Sequence, residues 1–399
     1  MKEPHYTSFE SHWKHDQEIT FLNHGSFGST PTEILNLQNE FRRKLEAEPI
    51  RFMVREFEGL WDDARSKTAA FLGTGASNLV FVKNTTMGVN TIFHSLEFEP
   101  GDEVLVHSHV YGACLNTINY YAKQKKFNVQ IAQIPFPIQH EDEVTESLLR
   151  AVTPKTKLLF IDHITSATGL IFPIEKIVAE FKRRGIEVFV DGAHAPGMVD
   201  LQLDKLGADY YTGNAHKWIC SPKGSAILYV HPEKQKRVVP LQISHNYDKS
   251  GEWAKQFLWP GTDDYTAYLC VPAAIEYMSK LFPGGWKELR ERNRNLALQG
   301  RKLLSEKVGT PLPAPDSMIG HLANVYLGKA EVPPYGFNYI HPVQDALFKE
   351  YKIEVPVFVF NRSEPRIWVR IATQCYNDIS QIEYLGDALV EIIRKQPIE

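Results

Sequence analysis

The stretch Val188–Val230 reads VFVDGAHAPGMVDLQLDKLGADYYTGNAHKWICSPKGSAILYV. It opens on an apolar run, Glu187–Asp191, that closes in a carboxylate. Gly192 follows and permits a tight exit from the strand. A second run, Ala208–Thr212, leads into Gly213-Asn214-Ala215-His216-Lys217-Trp218, and a third spans Ser225–Val230. Lys217 thus falls just past a strand, among small and polar residues, an odd place for a solubilising charge. Near low-dielectric walls a lysine loses proton affinity, and its neutral amine can form a Schiff base.

Working outward, Val104–His107 and Lys157–Asp162 are further short apolar runs. Between strands lie helical patterns. In Ile174–Arg184, Ile174, Ile177, Val178 and Phe181 repeat at the spacing of one buried face, and Arg183-Arg184-Gly185 supplies a cationic last turn and a stop. Alternation of this kind predicts a mainly parallel sheet covered by helices, with ligands beyond the carboxyl ends of the strands. Asn84-Thr85-Thr86 follows apolar Val80–Val82 and opens a helical pattern, Met87–Leu96. Its amide groups and hydroxyls suit a phosphate, and an ordinary helix cap is compatible with that. Thr30-Pro31 starts a helix over Glu33–Glu46. Val308–Pro315 and Val332–Pro342 are rich in Pro and Gly; strands Ile353–Phe360 and Arg366–Ala372 and a helix Ile382–Lys395 follow. The expected organisation is an N-terminal segment (1–20), a large domain (21–280) and a small α/β domain (281–399).

Composition bounds the function. The 399 residues set a prior of two to three domains. Hydrophobic residues at 43% and charged residues at 23% describe a globular chain rather than a disordered one. With 44 Lys+Arg against 48 Asp+Glu, nothing asks for nucleic acid or an anionic membrane, and no apolar run is long enough to span a bilayer. The polar N-terminus does not resemble a secretory signal. Four Cys without a CxxC fit a reducing compartment, so a cytoplasmic enzyme is expected. The 15 His include no HExxH, and no metal site is expected.

A carboxylate facing Lys217 across the sheet mouth is what a pyridinium nitrogen requires. Asp191 with His194, then His216-Lys217, resembles the signature of the class V aminotransferases, within the fold-type-I pyridoxal 5'-phosphate (PLP) enzymes. The wording is most similar to the isopenicillin N epimerase-like subgroup: Phe21–Gly28 (FLNHGSFG), His109–Ala113 (HVYGA) and Asp162–Gly169 (DHITSATG) match its blocks. The resemblance runs from about Phe21 to the final helix. It implies a seven-stranded, mainly parallel sheet sandwiched by helices, plus a smaller C-terminal α/β domain.

The resemblance also implies roles. Lys217 holds the cofactor and carries the Cα proton; Asp191 holds the pyridine nitrogen protonated. Asp191 read alone is equally an ordinary helix cap. Thr85, Thr86, Asn214 and His216 meet the phosphate. Tyr111 stacks on the ring, with His109 as runner-up. His194 and Ser166 lie near the ring hydroxyl, although relatives place Asn where Ser166 stands. Gly261-Thr262 resembles the pair that reaches the neighbouring subunit's phosphate, which implies a homodimer with shared sites. Arg370 grips the substrate α-carboxylate, with Arg366 as a competitor, and Asn23 and His24 touch substrate. Side-chain recognition is expected in Ser244–Lys255 and in residues 334–341.

The implied chemistry is at Cα of an amino acid. Epimerisation is the first expectation, and β-elimination by a C–S lyase or cysteine desulfhydrase, or transamination, are the alternatives. A cofactor-fold protein without activity is the non-enzyme alternative. Residues 356–365 contain no Cys, which speaks against a persulfide-forming desulfurase.

Overall fold

The computed structural model describes residues 4–248, 251–332, 339–361 and 364–395. Among the described residues the strands are β1 (Thr20–Phe21), β2 (Leu79–Val82), β3 (Glu103–His107), β4 (Asn128–Ala132), β5 (Thr156–Asp162), β6 (Glu187–Asp191), β7 (Tyr210–Asn214), β8 (Ala226–Val230), β9 (Leu322–Lys329), β10 (Ile353–Glu354), β11 (Val357–Phe360) and β12 (Arg366–Ala372). Seven of them form one mixed sheet in the order β2-β8-β7-β6-β5-β3-β4. Six run in one direction; β8 alone is reversed, antiparallel to both β7 and β2. β2, β3, β7 and β8 are buried along their whole length, the reading of a sheet covered on both faces. The amphipathic helix Ile174–Arg183 is one of those covers; Ile174, Ile177, Val178 and Phe181 are its buried stripe.

β7 begins two residues later than the apolar run suggests. Asp209 is drawn into a polar knot at the strand entry, where its carboxylate accepts from Val188 N at 2.9 Å and Lys182 Nζ at 2.6 Å. The strand then runs on through Gly213 and Asn214, which pair with Ile227 and Ala226. Ile353–Phe360, expected as one strand, is two. Pro356 has no N–H for a ladder; β10 pairs with β1, and β11 turns to β12.

β11, β12 and β9 form an antiparallel sheet in the smaller C-terminal α/β domain, packed by helices Gly285–Val308 and Ile379–Lys395. The N-terminal residues reach it as well: Thr7 Oγ1 donates to Cys375 O, and Trp13 packs edge-on to Tyr376. His12 and His15 are polar residues of this N-terminal segment, yet they are half-buried there, bonded to Tyr277 Oη and Ser29 Oγ. Aromatic neighbours bury them, and single-residue polarity does not register such packing. No helix of the described residues is long and apolar enough to cross a membrane.

Candidate active site

A cavity of about 440 Å³ opens beyond the carboxyl ends of β5, β6 and β7. Asp191, His194, Asn214, His216 and Lys217 line it from the strand ends and the turns after them. Thr85, Thr86, Tyr111 and Ser166 close it from the neighbouring loops and helix starts.

Asp191 is buried. Its Oδ1 accepts from Ala193 N at 2.9 Å, a local turn rather than a helix cap, and its Oδ2 accepts from Cys114 Sγ at 3.3 Å. Burial, then the neighbouring Asp162, raise its pKa to about 7. Gly192 is required here, because a Cβ would stand 2.2 Å from the Tyr211 ring.

Lys217 lies three residues beyond β7. Trp218 Nε1 donates to His194 Nδ1 at 3.3 Å, and an indole can only donate. The His194 proton is therefore on Nε2, which faces Lys217 Nζ at 3.1 Å. Nζ receives that proton's hydrogen bond, which requires a neutral amine. Burial, then Arg370, lower the lysine pKa to about 7, in the same direction. Gly28 presses on the next turn of chain: at φ +70°, its Cβ would meet His216 O at 1.9 Å.

The helix Thr85–Ser95 points its N-terminus into the cavity. Asn84 caps it through Met87 N, and Asn214 Oδ1 crosses from β7 to take Thr85 N at 3.0 Å. The Thr85 hydroxyl is buried without a partner. His216 Nδ1 donates to Ser225 O at 3.0 Å, which aims the ring.

Arg370, on β12, is buried and reaches the cavity wall by donating to Ser166 O and to Ser26 Oγ, the latter at 3.2 Å. Its Nε has no partner. Burial lowers its pKa to about 10, so it remains cationic. Arg366 lies at the other end of the strand, paired with Glu364.

Other candidates stand back from the cavity. His24 is buried beneath Lys217, bonded to its carbonyl at 3.0 Å and to Tyr376 Oη at 2.8 Å. Asn23 accepts from Ser26 Oγ and donates to Glu354. His109 has both ring nitrogens occupied, by Thr168 Oγ1 and Ile134 O, whereas Tyr111 is 44% exposed at the opening. Gly261 and Thr262 do not line this cavity, and Thr262 is exposed. The recognition segments expected around 244–255 and 334–341 fall partly on 249–250 and 334–338, outside the described residues. Three contributors went unnoticed in the sequence: Asp162, Ser26 and Cys114. Asp162 closes a strand just as Asp191 does, so the same rule finds it.

A neutral buried lysine, a buried carboxylate and an unpartnered hydroxyl at a helix start converge on this cavity, and a buried guanidinium backs its Ser26–Ser166 wall. That donor set fits PLP and an amino-acid carboxylate. The family model for class-V aminotransferases matches residues 21–331. The chain belongs to the class-V aminotransferases. It is a PLP-dependent enzyme acting at Cα of an amino-acid-type substrate. Among relatives of this class-V member, isopenicillin N epimerase of Streptomyces clavuligerus is 30% identical, over 94% of this chain and 95% of its own. A probable chloroplastic L-cysteine desulfhydrase of Arabidopsis thaliana is 28% identical, over 99% of this chain and 88% of its own. The solved complex of the cystine C–S lyase C-DES with its reaction product cysteine persulfide superposes with a TM-score of 0.76 at 20% identity, covering 94% of this chain and 98% of that one.

Proposed function

We propose that the protein is a C–S lyase of the cysteine desulfhydrase type, which removes the β-thiol of L-cysteine or a similar β-thio amino acid. The observation that carries this reading is the series of relatives named as L-cysteine desulfhydrases, matched over 95–99% of this chain. Lys217 is a neutral amine ready to take a proton, while the phenol of Tyr111 is pushed above its ordinary value by burial and keeps its proton. One base and one acid suit elimination. The same pair would also serve epimerisation, in which a base takes the Cα proton from one face and an acid returns one to the other. Relatives named as desulfhydrases and the similarity to a C–S lyase structure support the same reading.

When bound, the cofactor supplies an electron sink at Cα. Arg370 holds the α-carboxylate with its planar fork. Lys217 Nζ takes the Cα proton. The pair from that C–H bond forms the Cα–Cβ double bond, the Cβ–S pair leaves with sulfur, and Tyr111 gives the departing thiolate a proton. Water then converts the released enamine to pyruvate and ammonia. Asp191 keeps its charge toward the ring nitrogen, with His194 and Ser166 beside the ring hydroxyl. Thr85, Thr86, Asn214 and His216 hold the phosphate. Asn23 and His24 support the substrate side through Ser26 and Lys217. Gly261 and Thr262, outside their own chain's cavity, complete the phosphate site of a second copy, so the working unit is a homodimer with shared sites in the cytoplasm.

The epimerase reading draws on the Streptomyces relative. Incubation with L-amino acids in D2O separates the two. Sulfide and pyruvate released from cysteine are the expected result. Deuterium at Cα with racemisation, and no sulfide, sinks the lyase reading in favour of the epimerase.

A further inference from the structure

A second carboxyl group stands beside Asp191. β5 and β6 are in register at their ends, with Asp162 opposite Asp191, so both side chains leave the sheet on one face. Asp162 is 2% exposed and lines the cofactor cavity, and its Oδ2 has no hydrogen-bond partner. Two adjacent buried carboxylates do not both ionise cheaply.

His107, on β3, lies with Nε2 at 3.3 Å from Asp162 Oδ2. The pair has the outward form of a buried ion pair. However, the backbone N–H of Asp162 donates to the same Nε2 at 3.2 Å. An imidazole nitrogen that accepts an N–H has a lone pair and no proton of its own. His107 is therefore neutral, with its proton on Nδ1. A lone pair facing an ionised carboxylate is repulsive, and the contact is attractive when Oδ2 carries a proton.

We propose that Asp162 is a neutral carboxylic acid in the holoenzyme, donating to His107 Nε2, and that it acts as a positioning residue which leaves Asp191 the one ionised carboxyl at the pyridine-nitrogen end of the site. The groups facing Asp162 agree. Burial pushes its pKa well up, His107 from β3 gives no cation because burial drops its pKa to about 3, and Lys217 beyond β7, the one cation able to oppose that rise, is neutral; Asp191 from β6 is the adjacent carboxyl. Cys114, from the helix Gly112–Lys125, is a thiol whose own pKa is driven well up. An ionised Asp162 would compete with Asp191 for the ring proton and push Asp191 toward protonation. A neutral one leaves that proton on the ring. The inference rests on Asp191 meeting the ring nitrogen, and it is indifferent to whether elimination or epimerisation follows.

Infrared difference spectra of the PLP-loaded enzyme at neutral pH test it. Asp162→Asn copies the neutral acid in shape, so the variant is expected to keep its yellow cofactor band. The wild-type-minus-variant spectrum then shows the C=O stretch of a protonated carboxyl. An ionised-carboxylate band in its place overturns the proposal, as does loss of the cofactor band in this variant. His107→Phe gives an independent reading. If Asp162 is already protonated, its C=O band persists and moves as the hydrogen bond is lost. If the pair were ionic, removing the imidazolium would create a protonated-carboxyl band absent from wild type. The role of Asp191 is read separately, by turnover in Asp191→Asn, so failure of one assignment is distinguishable from failure of the other.

Discussion

Lys217 Nζ sits 3.1 Å from His194 Nε2, on the side from which the imidazole donates. The lysine is thereby held as a free base before any cofactor arrives. Covalent capture of an aldehyde then needs no prior loss of a proton.

Neutrality of Lys217 has a signature in the apoprotein. Its folded pKa, about 7, lies below the unfolded value near 10.5. Between those values the unfolded chain binds more protons, so stability rises with pH across that window. Relative to Lys217→Met, the wild-type apoprotein should be least stable below pH about 7. The deficit, on the order of a few kcal/mol, should close as pH approaches about 10. Urea titrations of both apoproteins at several pH values measure it; a pH-independent difference contradicts a neutral lysine.

Lys217→Ala should leave a colourless protein, with no band for borohydride to bleach and turnover down by at least about 10²–10⁴-fold, the scale of a lost acid–base group. A variant that retains both colour and activity removes Lys217 from the chemistry.

Asp191→Asn removes the charge and nearly keeps the shape. Turnover should fall by about 10²–10³-fold, the scale of a lost electrostatic stabiliser, while PLP stays bound. Steady-state kinetics with a cofactor-occupancy measurement checks both halves.

Arg370→Lys replaces a fork with a point charge. The KM for cysteine should rise by about 10–100-fold, matching one lost charge-assisted hydrogen bond. Inhibition by cysteamine, which has no carboxylate, should change far less. Equal changes for both ligands would place Arg370 outside the carboxylate contact.

Gly28→Ala should cost about 3 kcal/mol, because backbone rather than a movable side chain blocks the new methyl. Thermal unfolding measures the loss. Weakened PLP retention should accompany it, since the clash falls on the carbonyl of His216, next to Lys217.

Much of the site was legible in the chain because strand ends carry it. Glu187–Asp191 and Arg366–Ala372 have the same limits in the sequence pattern and in the structure. A polar residue closing a buried apolar strand leaves few places for its side chain except the sheet mouth. Asp162 obeys the same rule, yet its motif drew attention to Ser166 instead. The Cys114–Asp191 contact joins residues 77 apart and has no local pattern to announce it. The extended end of β7 was hidden because Gly213 and Asn214 are neither apolar nor β-branched, and hydrogen bonding to β8 places them in the sheet. His24 reads as a site residue from its motif, but its position beneath the Lys217 carbonyl is a tertiary fact.

Arg370 belongs to a strand of the small sheet, while Lys217 follows a strand of the large one. On the roles proposed for them, an amino acid gripped by its carboxylate at one and losing its proton to the other would span a fixed gap, with the two side chains as a ruler. A β-amino acid, one carbon longer between amine and carboxylate, brings the wrong carbon to the lysine. Such compounds should occupy the site as dead-end ligands, their C–H bonds intact.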